Sequence, residues 1–199
     1  MNIYPILKAR LFALSIVLVT FTIGACENTK TSEAKTEDSS EVAAKENDAK
    51  FENKKQENDA QFLVDATAIS LEEIKLAELA KRSNVKEVRE LGKMMAEAHT
   101  KALKEARDLA KTKQVTVPDS ATTATIDFYK TLSEKSGNDF NKAYCDRMVE
   151  GHKDAIGKFE KETAESRDQD IKEWAANMLP DLRKHLDAVF AAQKKIDKI

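Results

Sequence analysis

The sequence predicts an all-α protein, and three observations carry that reading. Ala, Lys, Glu and Leu dominate a 199-residue chain in which only five Gly and three Pro interrupt the helix formers. Apolar residues recur at helical spacing over long stretches separated by short polar breaks. Aromatic residues make up only 6%, as suits a core built from Ala, Leu, Ile and Met. The formal net charge is −2 with the two signs interspersed, and no basic block alternates with aromatics, so nucleic acid is not an expected partner.

The N-terminal segment reads as an address rather than as part of the fold. Lys8 and Arg10 precede the apolar run LFALSIVLVTF and then small residues, which is signal-peptide architecture. About 11 apolar residues are too few to cross a bilayer as a helix. The run ends in IGAC at 23–26, which resembles the bacterial lipobox. Residues 1–25 are therefore expected to be cleaved as a lipoprotein signal peptide, and Cys26 to be lipidated, with palmitate-type acyl chains. Each buried methylene would contribute about 0.8 kcal/mol to anchoring. The expected partner is thus the membrane, through Cys26, and the expected location is the bacterial cell envelope, at the outer membrane or facing the periplasm.

Residues 26–57 follow as a lipidated cysteine and a disordered tether. The stretch is rich in Glu, Lys, Ser, Thr and Asn, with few large apolar side chains to offset its ordering entropy. A coil of this length would hold a domain roughly 30 Å from the membrane. Some helix is expected only near its end.

The domain is expected over 58–199. A first long helix near 59–82 places Phe62, Ala66, Ile69, Glu73, Leu76 and Ala80 on one stripe. Ser83 and Asn84 end it, and Asn84 with Glu87 has the spacing of a capping box for the next helix. That helix, near 85–112, carries Val88, Leu91, Met95, His99, Ala102, Ala106 and Leu109. TKQVTVPDS breaks it, with Pro118 in the turn. A shorter helix near 120–134 contributes Ile126, Tyr129 and Leu132 before SGND stops it. A third long helix near 139–165 shows Phe140, Tyr144, Met148, His152, Ile156 and Phe159. The last, near 168–196, shows Ile171, Trp174, Met178, Leu182, His185, Val189 and Ile196. Two long hairpins joined by a longer connection predict a ferritin-like four-helix bundle with a short crossover helix, a plain up-down bundle being the alternative. Pro180 should free a carbonyl one turn earlier and kink the last helix. Gly92, Gly151 and Gly157 lie inside helices, as sites of close backbone approach or as neutral changes.

The histidines raise the chemical question. The chain has three, and His99, His152 and His185 each fall on an inward stripe, as does Glu73 on the first long helix. At 1.5 Å per residue the four come out roughly 15, 22, 21 and 16 Å (Glu73, His99, His152, His185) from the turn end of the bundle. All four thus share one level. One reading is a structural hydrogen-bond network with Tyr144 or the carbonyl freed by Pro180, because buried polar groups need partners. The other is a metal site for zinc, iron or copper, formed by neutral imidazoles and a carboxylate.

The sequence also excludes chemistries. A carboxylate di-iron centre uses Glu three residues before His, and Ala96, Val149 and Leu182 hold those positions. There is no nucleophile elbow, phosphate loop, Cys-x-x-Cys or hydrolase triad, so an enzyme is not the expected reading. Cys145 sits among helix residues and reads as a small buried hydrophobe.

Four blocks carry a family resemblance: DAQFLVDATAISLEEIKLAELA, GKMMAEAHTKALKEARDLA, GNDFNKAYCDRMVEGHKDAIGKFEKE and WAANMLPDLRKHLDAV. Together they resemble the bacterial domain of unknown function 4142, over essentially the whole of 58–196. Members typically carry Asp-His in the second block, where this chain has Ala98-His99. The resemblance implies a ferritin-like fold and an envelope location, and no established activity.

Overall fold

The computed structural model describes residues 38–198, so the expected signal peptide and Cys26 lie outside the described residues. Within them are six helices and no strand. Four are long: α2 (Lys54–Ala80), α3 (Lys86–Thr112), α5 (Gly137–Glu165) and α6 (Gln169–Ile196). The helices α2 and α3 pack along one another, as do α5 and α6, and the pairs meet through α2 on α5 and α3 on α6. Between them α4 (Thr123–Ser133) lies against α2 and α5. None of the described helices is long and apolar enough to cross a membrane.

The largest departure from the sequence reading is α1 (Ser39–Lys50), a capped helix inside the stretch expected to be a disordered tether. It packs on α2 and is tied to the connection after α3 by hydrogen bonds. Asp38 caps it, one carboxylate oxygen accepting from the Ser40 amide and the other from the Thr123 amide. The Asn47 amide donates to the Thr116 carbonyl at 2.7 Å, and its oxygen accepts from the Thr116 N–H at 2.8 Å. Ser39 Oγ donates to the Ser120 carbonyl. Composition misses this because it counts apolar area, and what orders α1 is mainly polar pairing.

One local expectation also changes. Val85, not Asn84, sits at the N-cap of α3, without a side-chain cap bond. Asn84 is instead used across helices, accepting from Asn141, which also accepts from Ser83 Oγ at 2.6 Å. The capping box therefore does not form, because a partner on α5 takes the side chain. Pro180 lies within a helix that runs unbroken from Gln169 to Ile196.

Gly92 marks a close crossing. A Cβ there would lie 2.3 Å from Ala80 Cβ, so the contact of α2 with α3 requires glycine. Just after α2, Arg82 donates to the carbonyls of Leu132, Ser133 and Lys135 and so fastens the end of α4 to the end of α2.

The apolar core divides into two clusters. One gathers Leu76, Met95, Leu132, Phe140, Tyr144, Met148, Val189 and Ile196. The other gathers Phe62, Leu63, Ala110, Phe159, Ile171 and Leu182. Trp174 and Phe159 close around Phe62 there, with ring centroids 4.9–5.8 Å apart. On α3, α5 and α6 the two sets are separated by one buried polar residue, and on α2 by Thr67, Ser70 and Glu73.

Candidate metal centre

The titratable residues between the clusters are Glu73 on α2, His99 on α3, His152 on α5 and His185 on α6, all buried. Helical periodicity places each on the inward stripe, between residues belonging to the two apolar clusters. The structure brings the three imidazoles together. Their ring centroids are 5.4–5.6 Å apart, and one nitrogen from each ring lies within 4.8 Å of the other two.

The orientation of His152 follows from its own helix. Its Nδ1 lies 2.9 Å from the Met148 carbonyl one turn earlier, and a carbonyl only accepts, so Nδ1 carries the hydrogen. The lone pair is then on Nε2, which faces His185 Nδ1 at 3.4 Å. A hydrogen bond from the far nitrogen of a ligating histidine to a carbonyl is the usual way a protein sets tautomer and ring orientation. Two nitrogens each about 2.05 Å from a tetrahedral zinc are about 3.4 Å apart, which this pair already satisfies.

Glu73 takes a different part from the one the sequence suggested. Its Oε1 is 3.5 Å from His152 Nδ1, on the far side of the ring from Nε2, and it is not among the converging nitrogens. It stands behind a candidate ligand. Gly151 lies beside it, and a Cβ at that position would rest in ordinary contact, 3.4 Å from Oε1.

Electrostatics make this a neutral site. Burial, and then the neighbouring imidazoles, hold His99 well below the ordinary histidine range. Burial, reinforced by His185, pushes His152 down to about 4 against the opposing bond to Met148. Burial likewise lowers His185. Glu73 is pushed up to about 8, chiefly by burial and next by Glu72, with Arg147 opposing. Near neutral pH the Glu73–His152 contact is therefore an acid beside a neutral ring, not an ion pair.

Hydrogen bonding is incomplete in this layer. Neither ring nitrogen of His99 has a hydrogen-bond partner among the described residues, nor do Glu73 Oε2, Tyr144 Oη and Thr67 Oγ1. Tyr144 therefore does not complete the network the sequence allowed for. Each such buried group costs about 1–3 kcal/mol. A layer selected only to fix helix register would pair these atoms. What the three nitrogens can do is bind an ion through lone pairs.

The Met148 carbonyl was missed from sequence. Its signal was present in the spacing: a mid-helix polar side chain can reach the carbonyl four residues earlier. Cys145, also buried, has its thiol pushed up to about 12 by burial.

A family model described as Domain of unknown function (DUF4142) matches residues 41–192. Its match starts within α1, which places that helix with the domain rather than with the expected tether. Neither a curated protein nor a solved structure matches the chain.

Proposed function

The chain belongs to the DUF4142 family, and from that premise we propose that its domain binds one transition-metal ion through His99, His152 and His185. We read the four long helices as a ferritin-like bundle with α4 in the crossover, and Cys26 as the lipidated residue that carries it at the bacterial cell envelope. The pairing of α2 with α3 and of α5 with α6 supports the bundle order. The lipobox-like IGAC after an apolar run supports the anchor.

One observation carries the metal reading: a buried imidazole with both nitrogens unpartnered among the described residues, facing two further imidazoles. The purified full chain, incubated with zinc, iron or copper and freed of excess, should retain one equivalent of at least one of them. His152→Ala should lose it. Metal in excess should also raise stability, by about 2.7 kcal/mol at 100 times the dissociation constant.

A second reading is favoured by the bonds of His152 to Met148 and His185: a polar layer that only sets helix register. It predicts that no metal is retained and that thermal stability ignores added metal. The anchor is tested separately by labelling cells with radioactive fatty acid. Label should appear on the wild type and vanish in Cys26→Ala.

A further inference from the structure

We infer that the three-histidine centre selects a monovalent soft ion, cuprous copper, over divalent zinc or iron; this rests on the metal reading above. The ligand set is the reason. The converging atoms are three imidazole nitrogens, with no carboxylate or thiolate among them, so nothing in the set offsets positive charge. Glu73 Oε1 addresses Nδ1 of His152 and not the side where the nitrogens meet, and Asp181, whose charge acts on His185, likewise lies outside the converging set.

The surroundings raise the cost of charge. His99, His152 and His185 are 3%, 1% and 5% exposed, and apolar clusters flank them along α3, α5 and α6. The cost of moving an ion into such a medium grows with the square of its charge, so a divalent ion costs about four times a monovalent one of like size. Sites for divalent zinc usually include an anionic ligand or an exposed position for water or hydroxide. Three neutral nitrogens around a single charge need neither. Geometry is compatible, because three nitrogens each about 2.0 Å from a central ion in one plane are about 3.5 Å apart, against 3.4 Å between His152 Nε2 and His185 Nδ1.

The test is a competition on the purified full chain under nitrogen. Cuprous copper is supplied as its bicinchoninate complex, silver(I) serves as a redox-inert monovalent probe, and zinc(II) and iron(II) serve as divalent probes. Cuprous copper and silver should each bind at one per chain, with copper at least about 100-fold tighter than zinc, a difference of about 2.7 kcal/mol. The copper form should stay silent in electron paramagnetic resonance after exposure to air.

His152→Asn and His99→Gln, each checked for retained helicity by circular dichroism, should both release the ion. Copper that persists in both variants would sit on Cys26 or Cys145 and would overturn the assignment. Zinc binding as tightly as copper would overturn the preference for single charge while leaving the metal centre standing. Retention of no probe at all would remove the centre and this inference together.

Discussion

Asn47 and His99 are each 3% exposed, yet the protein treats these two buried polar side chains in opposite ways. The amide of Asn47 is matched on both sides by the Thr116 backbone, and it fastens α1 to the connection after α3. The imidazole of His99 has neither nitrogen matched among the described residues. Burial alone therefore says nothing about whether a polar residue holds a fold together. Pairing decides it. A paired polar group contributes a modest net stabilisation, while an unpaired one carries its whole desolvation cost. The first region is structural, and the second is a liability that stability does not explain.

The largest expected effect is on pH. A histidine whose folded pKa is depressed binds its proton more readily when unfolded, so its contribution is complete above about 6.5 and is lost as pH falls. For His152, held near 4 in the fold, the loss amounts to about 3 kcal/mol between pH 6.5 and 4. Glu73 and Glu162 have the opposite sign. Both are pushed up to about 8, first by burial, so their contributions are complete below about 4.5 and fade as pH rises through 8. Below about 4.5 only the imidazoles act and above about 6.5 only the carboxyls, so metal-free protein should be most stable between those two values. Urea unfolding from pH 4 to 8 should trace that maximum. Glu73→Gln should remove about 2 kcal/mol of the decline between pH 6.5 and 8. A flat profile would mean that the histidine layer is solvated and that the contrast with Asn47 is false.

Next in size is Asn47→Ala. It leaves the Thr116 N–H and carbonyl without their partner and should cost about 2 kcal/mol. Hydrogen exchange should show α1 amides losing protection while those of α5 keep theirs. An unchanged exchange pattern would mean that packing on α2 alone holds the helix.

The smallest effect has the opposite sign. His99→Leu replaces an unpaired buried ring with a hydrophobe and should stabilise metal-free protein by about 1 kcal/mol, measured as a shift in the urea midpoint. The same variant should retain no metal. A loss of stability instead would show that His99 is paired in solution, and the two regions would then be alike.

The helices were legible because their signal is local. Apolar spacing around Met95, Met148 and Leu182 reveals an inward face whatever that face later meets, and the three histidines could be assigned to those faces for the same reason. The rule that counts apolar residues failed at α1, whose fastenings are Asp38 to Thr123 and Asn47 to Thr116. Those pairs are 85 and 69 residues apart, beyond the reach of any local pattern. The Asn84 capping box failed likewise, since a residue on α5 claimed the side chain.

By itself, then, the sequence determined the all-helical class, the approximate extents of α3, α5 and α6 and the inward placing of Glu73, His99, His152 and His185, because period and rise follow from helix geometry. Tertiary structure alone decided how these residues face one another. It turned His152 Nε2 toward His185 by fastening Nδ1 to Met148, and it set Glu73 behind the ring rather than among the nitrogens. It also left His99 unpaired among the described residues. Side-chain direction at a crossing of helices depends on neighbours that only the packed chain supplies, so equal height on four helices could not have told a ligand from the group behind it.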